Sequence, residues 1–217
     1  MLKDVLTGVL VPLTILIPIG VFLAKYRYSS KAERTLFYYL LMAGSVNSVA
    51  IVLSNYGIRN LFLLHIFTIL ETVFFLVYFF YDFSDKKIKN LLAVAIFVMP
   101  ILFVLNFLFL QSINQFNTYT RPLEAILITI ITLFFLYKSG FVEHWLKQPS
   151  SWVNMGILIY FPTSTIIFIL SNYFVFVSSN RKLNNIIWDI HSILVLLMYL
   201  AFAKAFSLIG KKHDNGR

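Results

Sequence analysis

The chain alternates long apolar runs with short polar breaks. Seven apolar segments can be read, at about residues 5–25, 35–56, 60–81, 89–110, 121–138, 151–177 and 184–209. A helix rises ~1.5 Å per residue and the hydrocarbon core of a bilayer is ~30 Å thick, so about 20 apolar residues cross it. Each segment meets that length, the fifth only just. The pattern predicts an all-α membrane protein, a seven-transmembrane-helix bundle forming a single domain over residues 1–217. Pro12, Pro18 and Gly20 lie inside the first segment and predict a kink there, since proline leaves a helical carbonyl for neighbours to satisfy. That segment has no small-residue cleavage site and is expected to stay as a helix.

The third segment, NLFLLHIFTILETVFFLVYFFY, is the most informative. It has no Lys, Arg or Asp, yet it carries His65 and Glu71. Ionisable groups in hydrocarbon cost about 2.5–3.5 kcal/mol or more, so they normally face a bundle interior or a wet cavity. At about 100° per residue, His65, Thr68 and Thr72 form one stripe with Glu71 on its flank. This helix is expected to line whatever site the protein has. In the seventh segment Asn185, Trp188, Ser192 and Tyr199 form a second stripe, with His191 beside it.

The breaks between segments set the orientation. Lys25, Arg27, Lys31 and Arg34 follow the first segment, Lys86, Lys87 and Lys89 the third, Lys138 and Lys147 the fifth, and Lys204, Lys211, Lys212 and Arg217 close the chain. These are 13 of the 18 basic residues, and all fall on one side. Lys3, Arg59, Arg121, Arg181 and Lys182 fall on the other. The positive-inside rule then places the N-terminus outside and the C-terminus in the cytoplasm. The polar groups gather in the outer half. Counted from Asn60 at ~1.5 Å per residue, His65 lies roughly 8 Å and Glu71 roughly 16 Å along the helix. His191 enters from the same face at similar depth, Arg121 and Glu124 stand at the mouth of the fifth helix, and Asn55 and Asn172 end the second and sixth.

An internal repeat adds an architectural expectation. The second segment ends in Leu53-Ser54-Asn55-Tyr56 and the sixth in Leu170-Ser171-Asn172-Tyr173. A helix with a histidine near its outer end follows each, with His65 in one and His191 in the other. Pro12-Leu13 and Pro122-Leu123 pair the first segment with the fifth. The pattern is that of a parallel repeat of three helices, about 5–81 and about 121–209, joined by a linker helix at 89–110.

This 3+1+3 layout with an outside N-terminus resembles the broad group containing SWEET and PQ-loop transporters, microbial rhodopsins and seven-helix bacterial sensor domains. The stretches HIFTILE and IWDIHSILVLLMYLAFA look most like uncharacterised bacterial seven-helix membrane proteins of the sensor type. No Pro-Gln pair is present, against the PQ-loop families. A retinal Schiff base needs a lysine in mid-helix 7, and Lys204 lies near the cytoplasmic end, so no retinal is expected.

Composition agrees with the pattern. Apolar residues make up 59% and charged residues 12%, against ~45–50% and ~25% in ordinary soluble domains. There is no cysteine, which excludes disulfides, thiolate metal sites and cysteine nucleophiles. The net charge of +9 is accounted for by orientation in the bilayer, so no nucleic-acid partner is expected. The loops are short and attach no soluble catalytic domain, and the basic tail KKHDNGR suits anionic lipid.

The candidate ligand-binding residues are His65, Thr68, Glu71, Asn55, Asn172, Trp188, His191, Glu124 and Arg121. No cofactor and no metal is assigned; His65 with His191 is the pair that could ligate haem. Arg121 and Glu124, three residues apart, are expected to pair at the membrane interface. Tyr56, Tyr160 and Trp188 could line an aromatic pocket. The reading is a receptor or sensor component rather than an enzyme, with catalysis left open, in a bacterial cytoplasmic (inner) membrane. It would bind a small-molecule or lipid ligand in the outer half of the bundle and signal through a partner protein or homo-oligomer. A small-solute or proton-coupled carrier is the alternative, and a lipid-modifying enzyme the third.

Overall fold

The computed structural model describes residues 11–140, 145–178 and 181–210. The start of the first apolar segment, Lys3 and the tail from Lys211 lie outside the described residues. Among the described residues the fold is all-α, with seven helices. Helix α1 is Val11–Leu13 continued by Leu16–Leu23. It is followed by α2 (Lys31–Asn55), α3 (Phe62–Asp82), α4 (Lys86–Phe109), α5 (Thr120–Ser139), α6 (Pro149–Asn172) and α7 (Arg181–Ser207). A π-helical turn, Tyr173–Val177, closes α6. Helices α2 to α7 are each long and apolar enough to cross a membrane, which makes this an integral membrane protein.

Local chemistry sets the helix boundaries. Ser30 opens α2 with a reciprocal cap: its Oγ accepts from Glu33 N, and Glu33 Oε2 accepts from Ser30 N. Asp85 opens α4 by accepting from Lys87 N at 2.8 Å. Gly140 ends α5 at φ 65°, a left-handed conformation that favours glycine. The predicted kink in α1 falls at Thr14–Ile15. Pro18 has no N–H to give to Thr14 O, and Ile17 N takes that carbonyl instead at 3.0 Å.

Six helices form a ring in the spatial order α1, α2, α3, α5, α6, α7, with α7 packed back on α1. Helix α4 packs on α3 outside this ring and turns most of its length outward. The most extensive helix contact is α6 on α7. A Cβ at Gly156 would stand 3.1 Å from Ala201 Cβ and from Phe202 Cε1.

The two ends of the ring differ in character. The end that carries the basic connections is filled with aromatic and aliphatic side chains: Phe22 of α1, Phe37 of α2 and Phe206 of α7 meet at ring-centroid distances of 4.5 and 4.7 Å. Leu36, Leu40, Leu76, Phe79, Phe161 and Phe202 extend this core. The opposite end, at the connections 56–61 and 110–119, holds the polar side chains and a cavity.

Candidate functional site

The site is built on one arginine. Arg121 lies in the first turn of α5 and is 2% exposed. Its Nη1 donates to Glu124 Oε2 at 2.5 Å, one turn along α5, and also to Glu71 Oε2 on α3. Its Nη2 donates to Tyr160 OH on α6 at 2.7 Å. The other oxygen of each carboxylate also faces a hydroxyl. Tyr39 OH of α2 donates to Glu71 Oε1 at 2.6 Å, and Thr72 Oγ1 of α3 stands 2.9 Å from Glu124 Oε1 and 2.7 Å from Thr68 O, with one proton to share between them. Tyr160 OH stands 3.1 Å from His191 Nε2 on α7. Because the Tyr160 oxygen accepts from Arg121, its own proton is free to donate to Nε2, which assigns the His191 proton to Nδ1. One guanidinium thus ties together five of the six ring helices.

Burial explains why the network is so complete. Glu71 is 1% exposed and Glu124 fully buried. A charge taken out of water is tolerated only when paired and hydrogen-bonded, and here both Glu71 oxygens and Glu124 Oε2 have a donor while Glu124 Oε1 shares the Thr72 hydroxyl with Thr68 O. Four aromatic rings enclose the guanidinium: Phe67, Tyr160, Phe161 and Phe168, with centroids 5.4–5.7 Å from Cζ. Counted as ionised groups, the charges do not balance. Two carboxylates face one guanidinium, and among the described residues no lysine or second arginine lines the space above them.

That space is a cavity of about 480 Å³. It runs from Val11 and Asn60 at the bundle end down to Glu71, Arg121 and Tyr199. Its polar lining includes Tyr39, Thr68, Asn117, Tyr160, His191 and Ser192, and its aromatic walls are Phe67, Phe116, Phe168, Trp188 and Tyr199. Thr68 and Asn117 stand together: Asn117 Nδ2 donates to Thr68 Oγ1 at 2.5 Å and to Leu64 O at 3.2 Å. This leaves Asn117 Oδ1 buried and without a partner.

Among the residues singled out by sequence, Glu71, Thr68, Arg121, Trp188 and His191 line this cavity. So do Ser192 and Tyr199 of the α7 stripe, and Tyr160. Glu124 lies behind Arg121 rather than on the cavity wall. Asn172 is a brace: its Oδ1 accepts from Phe116 N at 3.0 Å and its Nδ2 donates to Phe116 O at 3.2 Å, so it fixes the connection that carries Asn117.

Four expectations need correcting. His65 is buried but is not part of the cavity wall. Its Nε2 contacts Gln115 O at 3.1 Å and its ring stands edge-on to Phe107 of α4, so the two histidines face different neighbours. Asn55 is exposed at the end of α2, and Tyr56 is 78% exposed; neither lines the cavity. Arg121 and Glu124 do pair, but inside the bundle and in company with Glu71, not at an interface. Sequence reasoning also missed Tyr39 and Asn117. Tyr39 stands among many aromatic residues with no periodic signal to distinguish it, and Asn117 belongs to a connection whose course depends on Asn172.

No protein-family model matches the chain, and neither a curated protein nor a solved structure matches it. The seven-helix bundle stands on its own evidence, without support for membership of the SWEET, PQ-loop or rhodopsin families.

Proposed function

We propose that this protein is a seven-helix receptor or sensor component of a bacterial cytoplasmic membrane, which binds a small ligand in the outer half of its bundle and signals through a partner. The observation that carries the reading is the position of the cavity on the Arg121 network. A molecule resting on Glu71, Tyr160 and His191 touches side chains through which α2, α3, α5, α6 and α7 are joined. Its differential contacts can therefore bias how these helices pack, which is the requirement for a ligand-driven switch. The cavity volume falls in the ~300–1,000 Å³ range usual for small-molecule sites. The filled core beneath it, around Phe75, Leu76, Phe79 and Phe202, favours binding over passage.

Native mass spectrometry of protein extracted in mild detergent tests this. Wild type is expected to retain a bound small molecule or lipid that the Val195→Trp variant, with its cavity filled, has lost while keeping its helix content. A wild-type protein without an occupant, or an occupant retained by Val195→Trp, contradicts the reading.

A proton-coupled or small-solute carrier is the second reading, favoured by the two carboxylates that share Arg121. Uptake of the displaced occupant into sealed proteoliposomes would decide for it.

A further inference from the structure

We propose that the cavity selects a small organic monocation, a protonated amine carrying an apolar or aromatic body. The inference rests on the ligand-binding reading above and deepens it by naming the chemical class.

The first argument is charge. Glu71 and Glu124 place two carboxylates on one guanidinium, all three groups at most 2% exposed. As ionised groups they leave one negative charge in a region of low dielectric, where it is balanced by one positive charge, a proton or a bound cation. The titratable and charged groups facing this point are Tyr39 from α2, Glu71 from α3, Arg121 and Glu124 from α5, Tyr160 from α6, and His191 and Tyr199 from α7. Helix α1 contributes Val11 and Pro12, which carry no charge. Nothing in this set supplies a second cation, since His191 Nε2 accepts from Tyr160.

The second argument is what the walls offer. Arg121 gives both Nη1 hydrogens to the carboxylates and one Nη2 hydrogen to Tyr160, so an anionic ligand approaching its remaining N–H groups would meet two carboxylates already bound to the same guanidinium. Asn117 Oδ1 has no partner, and Glu71 reaches the cavity wall. Around these acceptors stand Phe67, Phe116, Tyr160, Phe168, Trp188 and Tyr199. Aromatic faces attract ammonium groups, most strongly where water is excluded. An unpartnered amide oxygen, aromatic walls and two carboxylates on one guanidinium together describe a receptor for an amine.

The test uses the full chain with Trp145 and Trp152 replaced by Phe, so that Trp188 is the fluorescent reporter. Three probes of one shape are compared: phenethylamine, neutral 2-phenylethanol and anionic phenylacetate. Phenethylamine is expected to change Trp188 emission saturably and to bind at least tenfold more tightly than 2-phenylethanol, with phenylacetate weakest. Glu124→Gln, outside the cavity wall but within the charged group, is expected to lower amine affinity at least tenfold and to leave that for 2-phenylethanol unchanged. Glu71→Gln serves as the second variant if Glu124→Gln melts early. The proposal is overturned if 2-phenylethanol or phenylacetate binds as tightly as the amine, if phenethylamine does not bind, or if both neutralised variants keep wild-type amine affinity. An occupant still seen by mass spectrometry in that case would leave the ligand-binding reading standing and remove only its charge.

Discussion

At the scale of single residues, Arg121 makes sense only in company. A lone guanidinium in the bundle would cost several kcal/mol, and the cost is offset by Glu71, Glu124 and Tyr160 acting together. Tyr39 is the least conspicuous member, yet its hydroxyl is what donates to Glu71 Oε1. Hydrogen bonds to charged groups contribute about 1.5–3 kcal/mol, so Tyr39→Phe is expected to destabilise by about that amount while keeping the ring packed on Phe75. Thermal melting in detergent, compared with Tyr38→Phe on the exposed face of the same helix, checks this. Equal melting temperatures for wild type and Tyr39→Phe would show that the bond contributes nothing. From sequence, Glu71 and His191 could be singled out because an ionisable residue is rare in an apolar run. Tyr39 could not, because tyrosine in a membrane helix serves equally well as interface or packing.

At the scale of helices, the long segments were legible because hydropathy and length alone dictate them. Helix α2 starts at Lys31, ahead of the apolar run read from residue 35, because Ser30 and Glu33 cap it chemically. How the helices meet was less legible. The α6–α7 crossing depends on Gly156 standing against Ala201 and Phe202 at 3.1 Å, and the sequence shows only one of eight glycines. Gly156→Leu forces a side chain into that contact. Overpacking costs about 1–3 kcal/mol or more, and separating α6 from α7 also moves Tyr160 away from His191. The expected result is a lower melting temperature together with an altered Trp188 emission. An unchanged melting temperature would mean that the two helices are not held this closely. The LSNY repeat has a mixed outcome at this scale. Asn55 and Asn172 each end their helix, but Asn55 is exposed while Asn172 braces the Phe116–Thr118 connection.

At the scale of the whole molecule, the ring of six helices with α4 outside follows from burial. Helix α4 carries few buried residues, and its only ionisable groups are the lysines of its first turn, so nothing requires it to face an interior. The cavity could not have been read from the sequence as a volume, because it exists only where α2, α3, α5, α6 and α7 diverge above the aromatic core. It lies at the end away from the basic connections, which the positive-inside rule leads us to expect on the extracytoplasmic side. Alkaline phosphatase fused in the 110–119 connection is therefore expected to be active, and fused after Ser207 inactive. The reverse pattern would invert the orientation and place the site in the cytoplasmic half.

The account rests on one arginine balanced by two carboxylates, and a charge cycle measures that most directly. Melting temperatures are compared for Glu71→Gln, Glu124→Gln, the double variant and Arg121→Met. Each single glutamine leaves one carboxylate for Arg121 and is expected to cost less than about 1.5 kcal/mol, below the range for a lost hydrogen bond to a charged group. The double variant strands the guanidinium, and Arg121→Met strands both carboxylates. Each is expected to lose about 3–5 kcal/mol, as when a buried ion pair loses one partner. If the double variant costs no more than the sum of the singles, or Arg121→Met melts like wild type, Arg121 is not the centre of this bundle.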